Sequence, residues 1–348
     1  MFSKIIIFKN DRIGDLMPSV SAINLIIQNN KDKKIIIYLS ETNYKMKFLF
    51  NEKNVEVILI NYKLSLKNRI DILCFFLKTK IYKVYILRPK NFFFLLPLIF
   101  YFKKIKFYGF CLNGINNYKR PNDFLRNFLT KFVVNDRGTL KKRISREKLQ
   151  LNLVSEESKN NYLEKKYNFE LSSILKKILP NNYSLIHYKK QIFEELEWGR
   201  DGLDIIINEI LKYYPNVVLI NDIKPSNDNV VFKKKYNWYN FKNGTSGNNN
   251  SKILYLENID GLDMFNSIKL SKKTIACHGT ITLLGYLIKV PILDIFYCKI
   301  KNKNDYHRYK NSFHEHKPNN KSYDFIIPSK NLNKTIQKMK FSLKKLND

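Results

Sequence analysis

The sequence predicts an α/β protein of two Rossmann-like lobes facing across a cleft, on three observations. Short β-branched runs alternate with helical segments in both halves, the pattern of parallel strands covered by helices. Each half contains a strand that passes through a small-residue turn directly into a helix. The length, 348 residues, exceeds the roughly 250 that a single core normally organises.

In the first half, Lys4 to Phe8, Lys34 to Tyr38, Val55 to Ile60, Val84 to Leu87 and Ile105 to Tyr108 read as strands. Helices are expected between them at Pro18 to Gln28, Tyr44 to Phe50, Leu66 to Thr79 and Asn91 to Phe102. Right-handed crossovers would lay these helices on both faces of the sheet. The stretch from Asn113 to Lys148 is rich in Lys, Arg and Asn, with a helix expected at Phe124 to Phe132 and mainly helical chain up to Leu179. Pro180-Asn181-Asn182 then punctuates the chain, so the lobes are expected at residues 1–179 and 180–330.

The second alternation begins with a strand at Tyr183 to His187. Helix Leu203 to Tyr213, strands Val217 to Asn221 and Ile253 to Leu256, helix Leu262 to Leu270, strand Thr274 to Cys277, helix Ile281 to Ile288 and strand Ile292 to Phe296 follow. Asn243 to Asn250 reads as a flexible loop by composition. Residues 331–348 form a separate basic segment, with an amphipathic helix from Asn331 to Leu346.

A composition of 44% hydrophobic and 14% aromatic residues excludes the disordered and collagen-like classes. The 62 Lys and Arg against 30 Asp and Glu give a net charge of +32 and imply attraction to polyanions. The Lys is scattered along a chain also crowded with Asn, Ile, Phe and Tyr, so a biased codon composition is a competing explanation for part of that charge. Cys74, Cys111, Cys277 and Cys298 stand far apart without a CxxC pair, and read as reduced, mostly buried thiols. Met1 leads into a strand rather than a signal core, and the most apolar stretch, Phe92 to Phe102, is shorter than the roughly 20 residues a membrane-crossing helix needs. A cytoplasmic protein is expected.

The sharpest local signal is Asn10-Asp11-Arg12-Ile13-Gly14-Asp15, between the first strand and the first helix. At such a junction Gly14 lets backbone approach a ligand, and Arg12 with the helix N-terminus suits an anion. Asp15 is placed either to take a proton from a sugar hydroxyl or to cap the helix. The second signal is Cys277-His278-Gly279-Thr280-Ile281-Thr282. Gly279 and the hydroxyls of Thr280 and Thr282 suit a pyrophosphate at the helix N-terminus, to which His278 would donate. The alternative is a satisfied histidine at a strand end with Thr280 as the helix cap. His307, His314 and His316 lack the helical spacing of a metal motif, so no metal is expected.

These residues resemble glycosyltransferase family 9, whose familiar members are the lipopolysaccharide heptosyltransferases. The likeness is carried by Arg12-Ile13-Gly14-Asp15 with its preceding strand, the Val84 to Gly109 strand, helix and strand, and the Cys277 to Phe296 block. It implies the two-lobed GT-B architecture and inverting transfer of a heptose or related sugar from a nucleotide diphosphate donor, with ADP-sugars among the candidates. It assigns acceptor and catalytic base to the first lobe, donor to the second, and the base to Asp15. The acceptor it implies is a lipopolysaccharide-type surface glycolipid, met at the inner face of the cytoplasmic membrane. Lys103, Lys104 and Lys106 beside the aromatic helix are candidates for contact with anionic lipid there.

Three departures stand out. The family block usually reads Asp-Ser/Thr-Gly and then His; here His278 stands near the Asp position and Leu283 in the place of the His. Trp198 resembles a family Trp that follows a Lys, but Glu197 precedes it. Lys189, Lys190 or Arg200 would supply the missing charge near the donor. No cofactor is expected. The competing readings are a nucleic-acid-binding protein, favoured by charge but lacking any recognition motif, and a Rossmann-type enzyme of another class such as a dinucleotide oxidoreductase, which lacks GxGxxG. On the glycosyltransferase reading, no nucleic-acid partner is expected.

Overall fold

The computed structural model describes residues 3–115, 118–136, 139, 142–155, 165–221, 227–297 and 322–345. They fall into two units dividing between Lys166 and Tyr167.

In the first unit the strands are β1 (Lys4–Lys9), β2 (Ile35–Ser40), β3 (Val55–Ile60), β4 (Ile81–Ile86), β5 (Lys106–Ile115), β6 (Tyr118–Arg120) and β7 (Lys131–Asp136). They form one sheet in the order β3-β2-β1-β4-β5-β6, with β7 also on β5. All pairings are parallel except β5 with β6. Ile5, Ile6, Ile7 and Phe8 are completely buried, because helices cover both faces and every side chain of a central parallel strand is then inside. Each such Ile contributes about 1.5–3 kcal/mol of transfer free energy. Phe8 stacks between Tyr38, Phe76 and Phe93 in the core.

Helices Val20–Gln28, Leu66–Lys78 and Asn91–Ile99 lie close to their expected positions. Helix Leu66–Lys78 starts at Ser65, whose hydroxyl accepts from the Asn68 amide. The helix expected at Phe124 to Phe132 stops after one turn, Asp123–Arg126, and the chain continues as β7. Pairing with β5 overrides local propensity there. Asn91–Ile99 buries Phe93, Phe94 and Leu96 but leaves Leu95, Leu98 and Ile99 exposed, with Tyr101, Phe102 and Phe124. Lys103 turns back to donate to the carbonyls of Phe76 and Leu77, capping helix Leu66–Lys78.

The second unit carries β8 (Tyr183–Tyr188), β9 (Asn216–Asn221), β10 (Asn237–Asn240), β11 (Thr245–Gly247), β12 (Ile253–Glu257), β13 (Lys273–Cys277), β14 (Ile292–Ile295) and β15 (Tyr323–Ile326). The sheet order is β11-β10-β12-β9-β8-β13-β14-β15, parallel except for the β10–β11 hairpin. β15 was not expected from sequence; it exists because β14 pairs with it over four residues. Nor is the Asn-rich loop unstructured. Asn243 accepts from Thr245, Asn237 accepts from the Asn249 amide, and Asn249 donates to the carbonyls of Lys233 and Tyr236, so the asparagines fasten the hairpin.

The stretch from Tyr167 to Leu179 packs with this second unit: Tyr167 and Phe169 meet Phe265 edge-on, and Lys269 donates to the Tyr167 carbonyl. Helix Leu332–Lys345 sits on the same core through Ile336, Met339 and Leu343. Lys273, completely buried, donates to the Leu343 carbonyl at 2.9 Å, and burial pushes its amine down to about 8. Cys74 is exposed, whereas Cys111 and Cys277 are buried thiols; Cys298 lies outside the described residues.

Candidate active site

In each sheet one strand marks the point where the order reverses: β1 lies between β2 and β4, and β8 between β9 and β13. Open α/β sheets bind ligands just beyond the carboxyl ends of strands at such points. Both sequence signals fall there.

In the first unit the chain leaves β1 through Asn10, Asp11 and Arg12 into a short helical turn, Ile13–Leu16, that carries Asp15. Arg12 is exposed and precedes the turn in extended conformation, without capping it. Gly14 lies within the turn, and is not among the glycines of positive φ. Asp15 does not cap the helix either; it sits in its first turn with its side chain 40% exposed and pairs with Arg146 Nη1 at 3.0 Å. Arg146 opens helix Arg146–Ser155, which docks on helix Val20–Gln28 where Ser21 donates to Glu147 at 2.5 Å. The neighbouring carboxylate is tied up instead. Asp11 is buried, pairs with Lys9 at 2.7 Å, accepts from Asn43, and is pushed above the usual carboxylate range mainly by burial, with Lys9 opposing.

Beyond β4 stand two cations that the sequence reading did not single out. Arg88 lies 4.2 Å from the centre of the Tyr62 ring, and Lys90 lies 5.4 Å from it while donating to the Tyr62 carbonyl. Burial first, then Arg88, Arg120 and Arg69, bring the Lys90 amine down to about 8, with Asp11 opposing. Arg88 is buried, and its Nη1 has no hydrogen-bond partner among the described residues. The carboxyl end of the first sheet thus holds Arg88 and Lys90 together with two carboxylates, Asp15 and the exposed Glu41, which accepts from the Tyr62 amide.

In the second unit, Lys189 follows β8 and donates through Nζ to the His278 carbonyl at 2.6 Å. Gly279 adopts φ 151°, ψ −145°, open essentially only to glycine, and leads into helix Thr280–Leu287 without a side-chain cap. A Cβ on Gly279 would come within 2.8 Å of Lys189 Nζ, so the ammonium lies directly over this turn. His278 is one-fifth exposed and binds Asp294 Oδ2 through Nδ1 at 2.7 Å. Lys189, His278, Gly279 and Thr280 thus come together at one helix start.

Two other candidates point elsewhere. Thr282 is completely buried with its hydroxyl on Asp294 at 3.3 Å, because one residue pair around the helix turns it inward from Thr280. Lys190 faces Glu194 and Asp228 at 3.7 and 3.6 Å, sharing the buried Asp228 with Arg200 and Tyr188. Trp198 has a structural place: its indole N–H is shared between the carbonyls of Ser329 and Lys330, while Glu197 pairs with Lys330. Leu283 is buried in helix Thr280–Leu287. No group of three or more metal-ligating side chains occurs among the described residues, and His307, His314 and His316 lie outside them.

No protein family model matches the chain. No curated protein matches it by sequence. Solved structures do. Over 99% of its length the chain is similar to E. coli ADP-heptose lipopolysaccharide heptosyltransferase II, with TM-score 0.63, 12% identity and 100% of that chain covered. It resembles a glycosyltransferase family 9 protein from Veillonella parvula over 99% of this chain and 90% of that one, with TM-score 0.59 and 12% identity. A UDP-GlcNAc 2-epimerase from Methanocaldococcus jannaschii matches over 100% and 93%, with TM-score 0.57 and 16% identity. The fold of the chain is therefore the two-lobed α/β fold that these sugar-nucleotide transferases and epimerases share, as the resemblance to family 9 implies.

Proposed function

We propose that the protein is an inverting glycosyltransferase that moves a heptose or related sugar from a nucleotide diphosphate to a lipopolysaccharide-type acceptor. The observation that carries this reading is that each unit has a polar site at its own switch point: the carboxylate of Asp15 in one, and Lys189, His278 and Gly279 at a helix start in the other. Asp15 accepts the proton of an acceptor hydroxyl whose oxygen attacks the anomeric carbon. The bond to the β-phosphate breaks, and its electron pair leaves with the diphosphate. Lys189 and the backbone N–H groups after Gly279 face that developing charge. Two of the structures named above carry ADP-heptose and UDP-GlcNAc in their names, which supports a nucleotide sugar as donor. Asp15 in an Arg-Ile-Gly-Asp turn favours transfer over epimerisation.

Thermal-shift titration with ADP, UDP, GDP and their sugars tests the donor. One nucleoside diphosphate should raise Tm in proportion to the logarithm of its concentration. No shift with any of them removes the reading, and sugar turnover without any acceptor turns it into an epimerase or hydrolase.

The acceptor follows from charge. Arg88, near enough to feel the charge of Asp15, and Lys90 at the same end of the sheet suit an acceptor with an anionic group, and the exposed Leu98, Ile99, Tyr101 and Phe102 with Lys104 and Lys106 suit a lipid surface. Among the described residues no helix is long and apolar enough to cross a membrane. Anionic liposomes should carry the protein in flotation at low salt and release it at high salt, because each nearby lysine contributes about 1 kcal/mol that salt screens. Phe102→Ser should weaken flotation; its absence at low salt, with transfer only to soluble sugars, overturns the lipid-linked acceptor.

A further inference from the structure

We propose that the second unit carries a glycan-binding cleft at the amino ends of β9, β10 and β12, apart from the donor site, and that it takes a sugar bearing an acidic group. The cleft is independent of the donor reading above.

Strand register brings its lining together. Leu254 of β12 stands opposite Val218 of β9 on one side and Asn237 of β10 on the other, and β11 places Ser246 opposite Tyr239. Because side chains alternate along a strand, Asn216, Leu254, Asn237, Tyr239 and Ser246 all stand on one face of the sheet. Ile178, at the end of helix Ser173–Ile178, and Pro180, before β8, line the same cleft, as does Lys252 at the start of β12. Its volume of about 430 Å³ lies within the roughly 300–1,000 Å³ of small-molecule sites. His278 and Gly279 follow the carboxyl end of β13, which runs parallel to its neighbours, so a strand length of about 17–20 Å separates the two sites.

The lining suits a pyranose, which has apolar C–H faces and a rim of hydroxyls that both donate and accept. Leu254, Ile178 and Pro180 are apolar, and the half-buried Tyr239, edge-on to Phe241, adds an aromatic ring. Asn216 and Asn237 are fixed by donating to the carbonyls of Asn181 and Ser251 at 2.8 and 2.7 Å. The hydroxyls of Tyr239 and Ser246 and the ammonium of Lys252 have no hydrogen-bond partner among the described residues, and so are available to a ligand. Among those residues no Asp, Glu, His or Cys lines the cleft. It therefore binds without acid–base or nucleophilic chemistry on a carboxylate, imidazole or thiol, and its charge is that of Lys252. A carboxylate or phosphate on the sugar gains a charge-assisted hydrogen bond there that a neutral sugar lacks.

The two tryptophans supply the readout. Trp198 has its indole N–H on the Ser329 and Lys330 carbonyls, whereas Trp238 lines the cleft and crosses Gly247, where a Cβ would collide with Nε1. The ¹⁵N-labelled full chain is titrated with methyl glucuronide, methyl galacturonide, the matching neutral glycosides and inorganic phosphate, following the Trp238 indole signal. At least one uronide should shift it saturably and bind about tenfold more tightly than its neutral counterpart. Tyr239→Ala should abolish the saturable shift, and Lys252→Met should remove the tenfold preference. No shift with either uronide, a preference that survives Lys252→Met, or a shift that survives in folded Tyr239→Ala overturns the proposal. So does an equal shift with phosphate alone, which makes the cleft a simple anion site, or displacement of the uronide by ADP or UDP. Should Tyr239→Ala fail to fold, Lys252→Met at its exposed position decides. Each of these results except the last displacement leaves the donor reading untouched, and failure of ADP, UDP and GDP to bind leaves the cleft in place.

Discussion

Asp15→Asn should lower transfer by about two to four orders of magnitude in kcat, with donor affinity close to that of the wild type. The substitution keeps size and shape and removes only basicity. Its structural cost is small. Asp15 is 40% exposed, and its pair with Arg146 is of the partly solvated kind that contributes under about 1 kcal/mol. Asp11 cannot replace it, because that carboxylate is buried against Lys9 and Asn43. The measurement is single-turnover transfer to the natural acceptor, alongside calorimetric donor affinity. Full turnover by a folded Asp15→Asn protein would take the base away from this turn. A fall confined to donor affinity would make Asp15 a binding group.

Gly279→Val should weaken the binding of nucleoside diphosphate at least about tenfold, the loss expected when one charge-assisted hydrogen bond is removed. Two effects combine. The backbone at φ 151° costs a side-chain-bearing residue about 1–3 kcal/mol, and the new Cβ stands 2.8 Å from Lys189 Nζ. The ammonium yields more easily than the backbone, so Lys189 leaves the His278 carbonyl and the helix start loses its nearest cation. Lys189→Met separates the two: it leaves the turn unstrained, and should reproduce most of the lost affinity with a smaller fall in Tm. Calorimetry with ADP and UDP together with melting curves reads both. Unchanged affinity in a folded Gly279→Val protein would place the phosphates elsewhere.

The elements legible in the sequence are those whose signal is local. Ile5 to Phe8 and Ile35 to Tyr38 are continuous apolar runs because central parallel strands are buried on both faces, and the helices between them begin and end on polar turns. β7, β10, β11 and β15 exist through pairing, and nothing in Lys131 to Asp136 or Tyr323 to Ile326 alone separates strand from helix or loop. The site divides the same way. Asp15, His278 and Gly279 sit in strand–turn–helix junctions that a reader can see. Arg146 reaches Asp15 across 131 positions, and Tyr323 reaches Asp294 across 29, so only the folded chain brings them together. Arg88 and Lys90 were visible as residues, but among 62 Lys and Arg nothing marked them until Tyr62 and burial did.

The edge strand β15 and helix Leu332–Lys345 also set an order on biosynthesis. The sheet of the first unit is complete in chain order once Asp136 has left the ribosome. The second cannot close until more than two hundred further positions of the chain are translated, because Asp294 waits for Tyr323, Trp198 for Ser329 and Lys273 for Leu343. Until then the faces that Ile336, Met339 and Leu343 cover stay open to water and to chaperones. The nascent chain thus carries a finished first sheet while the second core is still unsealed, and a ribosome that stalls before position 323 releases a protein whose second core has no lid.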